Sequence, residues 1–153
     1  MATVLEHGTV PSKKVERARV MVEDDARLWR LVTTDCKEAL RLRHAFRDYL
    51  EAYGSPASDF DAAEAVYGEL VANCVHHAPG SLRVEFHWAD STLVVVDDAD
   101  RLRHWPFSPD DPAAEETHRG YAIVNAFTGR VHVTRQGRGT RASVVLPVLS
   151  ADS

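Results

Sequence analysis

Positive charge is in short supply in this 153-residue chain, which carries 18 lysines and arginines against 23 aspartates and glutamates, a net charge of -5. That balance argues against a surface built mainly to neutralise phosphates, and so against nucleic acid as the main partner. Cysteine is scarce too: Cys36 and Cys74 form no C-x-x-C pair and no metal-binding spacing. Both stand at apolar helical positions and read as reduced core residues. No apolar run approaches the roughly 20 residues of a membrane span, and the N-terminus lacks a signal-peptide core. Neither internal repeats nor low-complexity tracts occur. What remains is the composition of a soluble globular protein, 44% hydrophobic and 27% charged, long enough for one domain with a real core. The expected location is the cytoplasm.

Residues 1–25 read as a polar N-terminal extension, ahead of a domain over 26–150. Within the extension Val15, Ala18, Met21 and Val22 have helical spacing, so a short docking helix and a frayed terminus are both open. ARLWRLVT (26–33) is strand-like. Asp35 offers a helix cap, with Glu38 at capping-box spacing. Leu42, Ala45, Phe46, Tyr49, Leu50 and Tyr53 mark the apolar face of one long helix that stops at Gly54. SPAS is a linker, and a second helix runs from about Phe60 to Ala78, ended by Pro79-Gly80. RVEFHW and TLVVVD form two strands joined through Ala89-Asp90-Ser91. A stretch rich in Asp, Pro, Arg and His runs from Asp98 to about His118, and connections of that length are disordered or functional. Gly120 to Phe127 reads as a short helix. RVHVT and TRASVVLP close the chain as a hairpin across Gln136-Gly137-Arg138-Gly139. Strands grouped beside helices indicate an α+β fold. The expected form is a two-layer sandwich, a mainly antiparallel mixed sheet covered on one face by helices.

The second helix poses a question. Its broad apolar face holds Val66, Leu70 and Cys74 together with Ala63, Tyr67, Val71 and Ala78. The opposite side, Ala62, Ala65, Gly68 and Ala72, is small rather than charged. Along the border run Glu69, Asn73 and His77, one every four residues and hence in line. A carboxylate, an amide and an imidazole on the lip of a buried helix suit a ligand cavity. The plainer alternative is that Glu69 and His77 are merely wet and Asn73 caps a neighbour.

The order of the surrounding elements bears on that choice. E-x-x-x-N-x-x-x-H on a helix precedes two strands ending in Asp, a long loop, a short helix starting near Gly, and a G-x-G-T hairpin. This pattern resembles the GHKL (Bergerat-fold) ATPase superfamily. Within it the chain looks most like the small anti-sigma-factor serine kinases of bacteria, which are histidine-kinase-like ATPases. The resemblance covers roughly residues 26–148; ELVANCVHHA carries most of it, supported by HRGYAIVNAFTGRVHVTRQGRGTRASVVLP. It implies ATP and Mg²⁺ as cofactors, with Asn73 as the Mg²⁺ ligand between the phosphates and Glu69 as general base on the attacking hydroxyl or water. It also implies that His77 lies near the nucleotide, that Asp97 accepts from the adenine amino group, and that Thr140 stands close to that contact. Arg119 and Gly120 match the box whose backbone N–H groups face phosphate at a helix N-terminus.

Three positions depart from the family pattern: Ala99, Arg101 and His118 stand where its loops carry glycine. Glycine there admits close backbone approach; Arg101 and His118 bring positive charge instead. Two functions follow. One is an ATP-binding regulator of the anti-sigma-factor serine kinase type, controlling transcription by partner switching with a sigma factor and an antagonist, with a homodimer as a further option. The other is a non-catalytic protein-binding module of the same fold. The catalytic half of a sensor histidine kinase fits poorly, since no phosphoacceptor hairpin and no membrane span can be read. His76, His77, His87 and His104 include no helical pair at i, i+4, which argues against zinc. His104-Trp105-Pro106-Phe107 suits either a partner anchor or a cover for the pocket, and Arg41, Arg43 and Arg47 suit a solvated face or one that meets an acidic protein.

Overall fold

A computed structural model describes residues 3–6, 18–77, 80–98 and 131–152. Its elements are β1 (Thr3–Glu6), β2 (Ala18–Glu23), β3 (Leu28–Thr33), α1 (Cys36–Arg41), α2 (Arg43–Tyr53), α3 (Phe60–His77), β4 (Leu82–His87), β5 (Thr92–Asp97), β6 (His132–Gln136) and β7 (Gly139–Val145). The strands form one seven-stranded sheet in the order β1-β2-β3-β4-β5-β7-β6. Every described pairing is antiparallel, in keeping with the mainly antiparallel sheet that was expected, with no parallel pair among the described residues. The α+β, two-layer architecture is as expected.

Residues opposite one another in neighbouring strands point to the same face, so the register defines rows across the sheet. On the helix-covered face one row is Val22, Trp29, Phe86, Leu93 and Val144. The next is Val20, Leu31, Val84, Val95, Ala142 and Val133. Both are wholly apolar. The third row reads Ala18, Thr33, Leu82, Asp97, Thr140 and Arg135. The floor of the molecule therefore turns polar at one end, over β5, β7 and β6.

Helices α1 and α2 both pack on α3, and α1 also reaches β3 and β4. Trp29, Phe46, Tyr67 and Phe86 are buried between the layers, with Phe46 stacked on Tyr67 at 4.8 Å and edge-on to Trp29 at 5.0 Å. Each ring so buried contributes about 1.5–3 kcal/mol, and each ring pair about 0.5–1.5 kcal/mol more. Tyr67 donates its hydroxyl to the Ala39 carbonyl, which ties α3 to α1, and burial raises its phenol pKa well above the usual value.

The N-terminal segment departs from the docking helix that its spacing allowed. Ala18–Glu23 is a strand, with Ala18, Val20 and Val22 alternating inward against β3. Period two and a partner strand override a sparse helical spacing; Val15 lies outside the described residues. The single long helix is broken as well. Leu42, itself buried, opens to ψ 11° between α1 and α2, so the joint delivers an apolar side chain to the core. Asp35 does cap α1, accepting from Lys37 N at 3.0 Å. Glu38 does not complete a capping box: its carboxylate takes Arg41, and Asp35 N donates to Thr33 Oγ1. Gly54 ends α2 with φ -95°, not a left-handed cap; a Cβ there would stand 2.6 Å from the Leu50 carbonyl oxygen. The closing hairpin is tighter than its four loop letters suggest. Gln136 pairs Gly139, leaving Gly137 (φ 59°) and Arg138 as a two-residue turn.

Candidate functional site

The polar end of the sheet lies beneath the C-terminal half of α3. Asp97 is the last residue of β5 and is 4% exposed. Its cross-strand neighbours in the row are Leu82 on β4 and Thr140 on β7, and Thr140 is fully buried. From above, Cys74 of α3, also fully buried, donates its thiol to Asp97 Oδ2 at 3.6 Å. A buried carboxylate is stable only when other groups satisfy it, so helix and strand are tied at this point.

Backbone shape is specified here as tightly as side chains. A Cβ on Gly139 would fall 1.8 Å from the Asp97 carbonyl oxygen and 3.0 Å from Asp98 Cα. Only glycine lets β7 begin against the end of β5. The glycine of G-x-G-T that precedes Thr140 thus has a steric reason.

Glu69 and Asn73 are both partly exposed, as border positions should be, while Leu70, Val71 and Cys74 turn inward. The Asn73 amide has one buried atom, Nδ2, with no hydrogen-bond partner among the described residues. Buried polar atoms are almost always paired, and an amide nitrogen left without a partner is suited to donate to a ligand. His77 is the last residue of α3; its side chain falls outside the described set. Arg119 and Gly120, with Ala99, Arg101, His118 and residues 104–107, also lie outside the described residues.

Other sequence candidates are separated from this place. His87 belongs to the opposite face of the sheet, in the row of Leu28 and Thr92, and contacts Glu85 Oε1 at 3.2 Å. Among the described residues no three His, Cys, Asp or Glu side chains gather to hold a metal. The arginines of α1 and α2 are engaged within the molecule. Arg41 pairs with Glu38, Arg43 with Glu64, and Arg47 with Glu51, Asp61 and Glu64. Hydrogen bonds to those three carboxylates hold the Arg47 guanidinium even more firmly protonated than usual.

Two residues escaped the sequence reading. Cys74 was placed in the core correctly, but its contact with Asp97 was not. The signal was present: it follows Asn73 on the inward side of α3, and Asp97 alternates inward with Val95 and Leu93. Arg135 extends the polar row beyond Thr140, which a two-residue hairpin loop would have indicated. Among the described residues no helix is long and apolar enough to cross a membrane.

A family model described as the histidine kinase-like ATPase domain matches residues 32–146, from the end of β3 to just beyond β7. No curated protein matches the chain. The match takes in α3, the buried Asp97 and the Gly139-Thr140 corner within one continuous span covering most of the sequence, and the chain belongs to the histidine kinase-like ATPase domain family.

Proposed function

We propose that the chain binds ATP or ADP between α3 and the ends of β5 and β7, and acts as a regulator of the anti-sigma-factor serine kinase type. The observation that carries the binding half is the buried Asp97, set opposite Thr140 and under Cys74 at the polar end of the sheet floor. A carboxylate in a nearly closed corner can accept from an exocyclic amine, and family membership supports adenine as its bearer. Asn73 fits the part of a hard oxygen ligand: its Oδ1 would hold Mg²⁺, and its Nδ2, without a partner among the described residues, would be left to donate to the nucleotide. Mg²⁺ held there would neutralise charge on the phosphates. Glu69, one turn earlier, would take the proton of a partner serine hydroxyl as its oxygen bonds to the terminal phosphorus and the bond from that phosphorus to the bridging oxygen breaks, leaving ADP. His77, Arg119, Gly120 and Thr140 complete the nucleotide contacts in this reading. The partners in this reading are a sigma factor or an anti-sigma antagonist protein.

Calorimetry with ADP and with ATP, in the presence and absence of Mg²⁺, tests the proposal. Asp97→Asn should weaken both nucleotides by about 10- to 100-fold, since a charge-assisted hydrogen bond is worth roughly 1.5–3 kcal/mol, with little loss of stability. Asn73→Ala should weaken binding chiefly when Mg²⁺ is present. Glu69→Ala should still bind nucleotide but transfer no labelled phosphate to a partner serine. The second reading, a non-catalytic protein-binding module, rests on Ala99, Arg101 and His118 at glycine positions. It takes over if the wild-type chain shows no heat with millimolar ATP and Mg²⁺.

A further inference from the structure

We propose that Cys74 is a positioning residue for base recognition: its thiol fixes the rotation of the Asp97 carboxylate and thereby sharpens selection of 6-aminopurine over 6-oxopurine nucleotides. This rests on the nucleotide reading above and goes beyond it by assigning specificity to a residue of the helix.

The ordinary account of Cys74 is a small apolar filler, as buried reduced cysteines usually are. Its geometry adds something. The thiol is fully buried on the inward side of α3 and donates to Oδ2 of a carboxylate that is itself 4% exposed. The terminal torsion of an aspartate is broad and nearly two-fold. The Cys74 thiol is one donor that restricts that torsion. An S–H is a weak donor, but both groups are buried, and a low local dielectric strengthens the bond. The opposite oxygen is then held in one orientation. A 6-amino group donates to such an oxygen, whereas a 6-oxo group presents a second acceptor to it, and selection depends on how rigidly the carboxylate is aimed.

The experiment compares ADP with IDP, which differ at the 6-position of the base, by calorimetry on the full chain. In the wild type ADP should bind more tightly than IDP. Cys74→Val, which keeps the volume but removes the donor, should weaken ADP by about 3- to 10-fold, the span of a modest hydrogen bond. IDP should change little, so the ratio of dissociation constants falls. Cys74→Ala should do the same with some added loss of stability, and Cys74→Ser should restore most of the ratio. In an Asp97→Asn background the Cys74→Val effect should disappear, as a coupled pair requires.

A merely structural Cys74 would change melting temperature and leave the ratio alone. Wild type that binds ADP, with the same ADP-to-IDP ratio in Cys74→Val, overturns this assignment while the nucleotide reading stands. Wild type that binds neither nucleotide overturns both.

Discussion

At the scale of single residues, the corner where β5 ends and β7 begins is decided by a missing atom. Gly139 lies so close to the backbone of Asp97 that a methyl group would occupy the place of its carbonyl oxygen. The substitution therefore acts on the candidate site through the main chain. Gly139→Ala should destabilise the fold by about 1–3 kcal/mol, the usual range for forcing extra volume into a packed place, and should abolish ADP binding by shifting Asp97. Urea unfolding together with calorimetry measures both. Unchanged stability would mean that the two strands can separate locally at no cost, and the corner would then be looser than its geometry implies. Asp97 and Thr140 were each legible in the sequence as a strand end and a hairpin residue. Their direct opposition was not, because it depends on which strand lies next to β5.

Among the elements, the β2–β3 hairpin holds the most backbone strain in the described residues. Asp24, Asp25 and Ala26 all have positive φ, 54°, 52° and 68°. Aspartate tolerates that region better than most residues; alanine does so at a cost of about 1–2 kcal/mol. The turn is held from outside. Tyr49 of α2 donates its hydroxyl to the Ala26 carbonyl, and Trp88 N donates to the Arg27 carbonyl at 3.0 Å. Burial raises the phenol pKa of Tyr49 well above its ordinary value, so it remains a donor across the working pH range. Ala26→Gly should stabilise the protein by about 0.5–1 kcal/mol, the relief of strain exceeding the added entropy of the unfolded chain. A lower denaturant midpoint in the variant would show that the turn relaxes in solution. Sequence reading placed β3 but missed β2, since ARVMVE is short and only its pairing with β3 reveals which residues alternate inward.

For the whole molecule, the two faces of the sheet have separate chemistries. The helix-covered face is apolar until its last row, while the outer face carries Arg30, Arg83, Glu85 and His87. Glu85 sits among the other three, with Arg30 Nε at 3.0 Å, His87 Nε2 at 3.2 Å and Arg83 Nε at 3.6 Å. Partial burial pushes its carboxyl pKa up, but the hydrogen bonds from His87 and Arg30 and the nearby arginine charges outweigh that and leave it lowered. A lowered carboxyl contributes stability above the ordinary glutamate value of about 4.3, and the contribution is lost as pH falls through the folded value. Glu85→Gln should therefore be less stable than wild type at pH 7, by about 0.5–1 kcal/mol after allowance for solvent screening. The gap should narrow as pH falls below the ordinary glutamate value. Thermal melts of both proteins from pH 3 to pH 8 test this, and a gap independent of pH would remove the ion pairs as its cause. Nucleotide binding should be the same in both, because Glu85 faces away from Asp97.

Local pattern was sufficient wherever one element decides the matter alone. The register of α3, with Glu69 and Asn73 on a border and Leu70, Val71 and Cys74 inward, follows from 3.6 residues per turn and the choice of side chains. So does strand β4, whose alternation is set by a single buried face. The tertiary structure alone decided what lies beside what. It paired β5 with β7 and not with β6, which put Thr140 opposite Asp97, and it broke the first long helix at Leu42, where a buried side chain had to reach the core. It also brought the Cys74 thiol onto a carboxylate distant in the chain. Periodicity along a chain says which way a side chain faces. The group it meets there is set by the packing of whole layers, in which every row of the sheet and every turn of α3 must find its place together.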